Sequence, residues 1–222
     1  MNLQLCIPYE PCIYHCPFCI ARGHKHNYEF QNLYKTNKKE YFQKLIDVLE
    51  FIDGSVVLTG ECEPTQNMSF LKDVIKVIRK HKKNAVIELQ TRNYEYKGGL
   101  DIDVLSYSIV DSKAYLNAYK LYKEPKKINR LVILLRRDLD FLNNYNFNSF
   151  GFQQVTFKQL QLGEDFETNK WIMNNLSEVN HNIQRSDISI RYDYSCQTAK
   201  GRYFVFRSDG NLYNSWEERS IS

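Results

Sequence analysis

Apolar runs of strand length alternate along this chain with segments of helical period, and this alternation constrains the fold more than any other feature. Residues 3–7, 56–58, 85–89, 104–110, 131–135 and 152–157 read as strands. Between the first two, Tyr41, Phe42, Leu45, Ile46, Leu49 and Ile52 fall on one helical face, with Asn37 and Glu40 placed as a capping pair. Phe70, Leu71, Val74, Ile75 and Ile78 define a second helix; residues 112–122, 138–145 and 168–179 read as three more, and 21–35 as a loop. Strands separated by helices favour a parallel sheet with right-handed crossovers. A complete eight-unit barrel takes roughly 250 residues, and this chain has 222. The expected fold is therefore α/β, a partial (β/α)6 barrel of parallel strands. Beyond residue 186 the period changes to two at Ile188, Ile190 and Tyr192, and Asp209-Gly210 separates apolar runs at 203–207 and 212–213. Asp-Gly in that setting is a hairpin signal. Residues 1–185 are thus expected to form the barrel core, and 186–222 a C-terminal antiparallel β appendage of the same domain.

Charge and composition exclude several functions. The 30 basic and 26 acidic residues leave +4, a mild imbalance that does not call for nucleic acid. The densest basic run, Arg79-Lys80-His81-Lys82-Lys83, falls at a predicted helix end, where cations complement the carbonyl end of the dipole. No apolar run approaches the roughly 20 residues that span a bilayer, and no signal-peptide pattern opens the chain. The expectation is a cytoplasmic protein with no membrane partner, in which thiols stay reduced. Its six cysteines then point to metal binding or catalysis before disulfides. No P-loop, dinucleotide glycine fingerprint or Gly-x-Ser-x-Gly is present.

Three of those thiols lie within eight residues, Cys12-Ile13-Tyr14-His15-Cys16-Pro17-Phe18-Cys19, on a loop leaving the first predicted strand. Such spacing lets one loop wrap a single centre with little closure entropy, and soft thiolates suit iron–sulfur clusters or zinc. Three readings follow. Three cysteines can hold a four-iron cluster and leave one iron open to substrate. They can hold a closed zinc with His24 or His26 as fourth ligand, giving a zinc-stabilised binding module. Or Cys16 and Cys19 can act as a dithiol pair in a thiol–disulfide oxidoreductase, which leaves Cys12 unexplained.

The C-x3-C-x2-C loop, with aromatic Phe18 before its last cysteine, resembles the radical S-adenosylmethionine superfamily. A second match follows the second predicted strand: Thr59-Gly60-Glu61-Cys62-Glu63-Pro64-Thr65 is similar to that family's Gly-Glu-Pro motif, with Cys62 in place of its second glycine. The resemblance implies a single [4Fe-4S] cluster on Cys12, Cys16 and Cys19, with S-adenosylmethionine chelating the fourth iron. It implies reductive cleavage to a 5′-deoxyadenosyl radical that abstracts hydrogen from a small-molecule or short-peptide substrate. It also implies a low-potential electron donor of the flavodoxin or ferredoxin type. By the same resemblance Phe18 lies near the adenine, and Gly60, Glu61, Cys62 and Glu63 bind the methionine ammonium. Reacting groups of (β/α) barrels sit at the C-terminal strand ends. That places Gln90 and Ser108 near the nucleoside, and Lys158 and Gln159 near substrate. The remaining Cys6, Cys62 and Cys196 are too scattered for a second cluster, and no Gly-x-Ile-x-Gly-x-x-Glu signature marks the fifth strand.

Overall fold

The computed structural model describes residues 1–8, 12–14, 16, 19, 32–60, 62–134, 150–158, 189–193 and 203–214. Among the described residues nine strands form one sheet: β1 (Asn2–Ile7), β2 (Val56–Gly60), β3 (Ile87–Thr91), β4 (Val104–Ile109), β5 (Ile128–Leu134), β6 (Gln154–Lys158), β7 (Ser189–Asp193), β8 (Tyr203–Phe206) and β9 (Leu212–Tyr213). The α-helices described with them are α1 (Leu33–Thr36), α2 (Lys38–Phe51), α3 (Met68–His81) and α4 (Ser112–Leu116). The spatial order is β7-β6-β5-β4-β3-β2-β1-β8-β9, with β7 and β9 at the edges among the described residues. The pairings from β7 through β1 to β8 are all parallel, and β8 pairs antiparallel with β9.

The six strands expected from the apolar runs are β1 to β6. Asn37 caps α2 as its position suggests: its side chain accepts from the Glu40 amide at 3.2 Å and donates to the Glu40 carboxylate at 2.9 Å. One sheet face packs under α2 and α3, burying Leu5, Ile7, Leu58 and Leu89 against Leu45, Phe70, Val74 and Ile78. The expected helix over 112–122 is shorter, ending at Leu116 and followed by a 3-10 turn at Ala118–Lys120. Residue 33 onward, read as loop, carries the single turn α1. The expected helices at 138–145 and 168–179 lie outside the described residues.

Residues 92–103, which join β3 to β4, hold no helix. The tail contributes at both sheet edges. The alternating Ile190 and Tyr192 belong to β7, parallel to β6, and β8 lies parallel to β1 with Leu5 opposite Phe206. Antiparallel pairing among the described tail residues is confined to β8 and β9, because a period of two fixes which face a residue occupies and not the direction of its partner. The turn between them is built as its Asp-Gly predicts. Asp209 accepts from the Asn211 amide at 2.9 Å and the Tyr213 hydroxyl at 2.6 Å, and Gly210 takes φ +76°.

The face of the sheet turned away from α2 and α3 carries a polar row. Gln90, Ser106, Arg130 and Gln154 stand in one register row across β3 to β6. Buried Glu88 accepts from Gln90 at 3.0 Å, Ser106 at 2.8 Å and Arg130 at 2.6 Å. Arg130 also donates twice to Gln154, at 2.9 and 2.7 Å. A buried carboxylate and guanidinium are tolerated because each is paired and further hydrogen-bonded.

Candidate metal and cofactor site

Of the residues named from the sequence, Cys12, Cys16, Cys19, Gly60, Cys62, Glu63, Gln90, Ser108 and Lys158 are described, and they lie at or just beyond the C-terminal ends of parallel strands, where such sheets bind ligands. β1 ends at Ile7, and Cys12, Cys16 and Cys19 follow on the loop leaving it, each half-buried and unpaired by disulfide. The loop is pinned sideways: the Ile13 amide donates to Gln66 Oε1 at 3.0 Å, and the Cys19 amide to the Cys16 carbonyl at 3.2 Å.

Gln66 belongs to the bend after β2, which carries the second motif. Gly60 lies opposite Ile7, and a Cβ there would stand 2.9 Å from the Ile7 nitrogen. Contact that close with neighbouring backbone admits no side chain without a shift. Cys62, at the position where resemblance expects a second glycine, is buried, and its thiol lies 3.5 Å from the Pro8 carbonyl. Its sulfur joins the hydrophobic core, so a side chain at this position is accommodated inward.

Glu63 is 4% exposed and accepts from four donors. Oε1 takes the Thr65 amide at 3.1 Å, the Thr65 hydroxyl at 2.9 Å and the Thr91 hydroxyl, while Oε2 takes the Arg92 amide at 2.9 Å. Its carboxylate caps the 3-10 turn Pro64–Asn67 and ties that turn to the end of β3. Asn93 closes the knot, donating to both Thr65 and Thr91 hydroxyl oxygens at 2.9 Å.

Arg92, the first residue after β3, was not marked by any motif. Its Nη1 lies 2.8 Å from Cys16 Sγ and its guanidinium sits 4.9 Å from the centre of the Tyr14 ring. The available signal was an arginine at a strand's C-terminal end, next to Gln90 and Thr91. Burial pushes the Cys16 thiol up, against the opposing pull of Arg92.

The other expected residues are placed as follows. Gln90 is half-buried at the end of β3 and donates to Glu88. Ser108 is half-buried on β4, and its carbonyl accepts from the Tyr94 hydroxyl at 2.8 Å. Lys158 is half-buried at the end of β6. Phe18, Glu61, Gln159, His24, His26 and Cys196 lie outside the described residues.

Three soft thiolates on one loop suit an iron–sulfur cluster or zinc by their chemistry. Among the described residues no three His, Cys, Asp or Glu side chains are grouped to hold one metal ion. No helix among the described residues is long and apolar enough to cross a membrane.

No protein-family model matches the sequence, and no curated protein does. Solved structures do match. A structure of anSMEcpe with bound AdoMet (S-adenosylmethionine) and Cp18Cys peptide is 16% identical, with TM-score 0.56, covering 99% of this chain and 78% of its own. A structure of anSMEcpe with bound AdoMet is 16% identical, with TM-score 0.57, covering 98% of this chain and 74% of its own. The chain shares the fold of these structures. At this identity the likeness speaks for architecture: an α/β partial barrel of parallel strands, as the alternation along the chain leads one to expect.

Proposed function

We propose that this chain is a radical S-adenosylmethionine enzyme, holding one [4Fe-4S] cluster on Cys12, Cys16 and Cys19 and cleaving S-adenosylmethionine. The observation that carries the reading is a convergence. At the C-terminal edge of a parallel sheet, the three-thiol loop after β1 is tied to the bend after β2 by Ile13–Gln66 and to the end of β3 by Cys16–Arg92. When bound, the cluster supplies the electron that breaks the sulfonium C–S bond, and the deoxyadenosyl radical so released takes hydrogen from substrate.

The chain's residues then have distinct tasks. Three thiolates hold three irons and leave the fourth without a protein ligand. The carbonyls of the Gly60–Glu63 bend accept from the methionine ammonium, while Glu63 keeps the bend in shape through its four donors. Gly60 lets the bend approach β1. Phe18 covers the adenine, Gln90 and Ser108 line the nucleoside, and Lys158 and Gln159 face a small-molecule or short-peptide substrate. A flavodoxin- or ferredoxin-type donor in the cytoplasm provides the electron.

Anaerobic reconstitution, followed by incubation with dithionite and S-adenosylmethionine, tests the proposal. The expected result is release of 5′-deoxyadenosine, lost in Cys16→Ala. Deoxyadenosine release that survives Cys16→Ala contradicts the ligand assignment, and a zinc-loaded protein that releases none contradicts the activity.

A further inference from the structure

We infer that Arg92 sets the reduction potential of the cluster by donating a charged hydrogen bond to the sulfur of Cys16, an inference that rests on the function proposed above. Three contacts hold this residue. Its backbone N–H is held by Glu63 at 2.9 Å, its guanidinium lies 4.9 Å from the centre of the Tyr14 ring, and Nη1 reaches Cys16 Sγ at 2.8 Å. Root and tip are therefore both anchored, although 76 residues separate the donor from its sulfur. Tyr14 is two residues before Cys16, so ring and thiol belong to one loop and present themselves to the guanidinium together.

The consequence is electrostatic. One electron passes from the low-potential donor to the cluster; the donor is oxidised by one, the cluster reduced by one, and Arg92 neither gives nor takes a proton. The added negative charge is shared with the thiolate sulfurs. A guanidinium donating to one of them gains more from the reduced form than from the oxidised form, and hydrogen bonds to sulfur are among the levers that set cluster potentials. Arginine suits the role because it stays charged and its planar fork can stack and donate at once. The half-buried setting keeps the effect from being fully screened. Arg92 is thus a tuning and positioning residue that brings the cluster within reach of a flavodoxin- or ferredoxin-class donor.

The test is a mediator-poised redox titration, followed by electron paramagnetic resonance, of the reconstituted wild type, Arg92→Gln and Tyr14→Leu, without S-adenosylmethionine. At a fixed poise Arg92→Gln should lower the reduced-to-oxidised ratio about tenfold, which is ~59 mV for one electron. Tyr14→Leu, which removes the stacking face and keeps the charge, should move the ratio the same way by less. Iron and sulfide content equal to wild type with the lowered ratio supports the inference. Equal content with an unchanged or raised ratio overturns it. If Arg92→Gln takes up little iron, Tyr14→Leu decides by the same criterion. A wild type that takes up no iron and sulfide overturns the cluster reading itself, a result distinct from equal potentials in loaded proteins.

Discussion

Replacing Glu63 by alanine should destabilise the metal-free protein, because its carboxylate holds the bend together whether or not a ligand is present. Of its four donors, the Thr65 and Thr91 hydroxyls can turn elsewhere, but the Thr65 and Arg92 amides cannot. The site is 4% exposed, so water replaces the lost oxygens poorly. A buried donor left unsatisfied costs about 1–3 kcal/mol, and two of them give roughly 2–6 kcal/mol. In a domain of this size each kcal/mol shifts Tm by about 2–4 °C, so a central loss near 4 kcal/mol lowers Tm by ~8–16 °C. Glu63→Gln keeps one acceptor oxygen and should lose about half as much. Thermal unfolding of the apo proteins by circular dichroism measures both. An alanine variant whose apo Tm stays within about 1 °C of wild type refutes the scaffold role, and loss of S-adenosylmethionine affinity without loss of stability would then mark Glu63 as a direct ligand.

Other predictions follow from single contacts. Gly60→Ala forces a Cβ to within 2.9 Å of the Ile7 nitrogen, and should cost ~1–3 kcal/mol in urea unfolding as an overpacked backbone contact; a neutral result refutes the close approach. Glu88→Gln leaves the Arg130 guanidinium without its buried anionic partner and should cost roughly 3–5 kcal/mol, whereas the double change with Arg130→Met should cost less than the sum; additivity refutes the pairing. Asp103 is pushed up by burial, but the Ile87 amide and the Arg79 guanidinium outweigh that and hold it below the ordinary carboxylate value. Its contribution is therefore full above pH ~4 and lost as pH falls through the lowered value. Asp103→Asn should flatten the acid limb of the stability profile, and an unchanged limb refutes the tie.

What could be read from residues alone was whatever short-range pattern dictates. The six barrel strands declare themselves as short apolar-rich runs between segments of helical period, and Asn37 with Glu40 marks the start of α2 because capping is local. The three cysteines and the Gly60–Glu63 bend are likewise legible through spacing. Strand direction in the tail was not, since Ile190 and Tyr192 alternate identically in a parallel and an antiparallel partnership. Arg92 was invisible for a related reason. Its significance lies in a contact across 76 positions, and nothing in Gln90-Thr91-Arg92 states which loop will lie above it. The polar cluster of Glu88, Ser106 and Arg130 was hidden because its members acquire their partners only through strand register.

The central claim, that one iron of a cysteine-held cluster stays open for a sulfonium compound, meets its most direct test in spectroscopy of the reduced, reconstituted protein. About four iron and four sulfide per chain, with a paramagnetic signal that changes when S-adenosylmethionine is added, is the expected result. A signal indifferent to the compound, or a preparation with zinc and no sulfide, would contradict it.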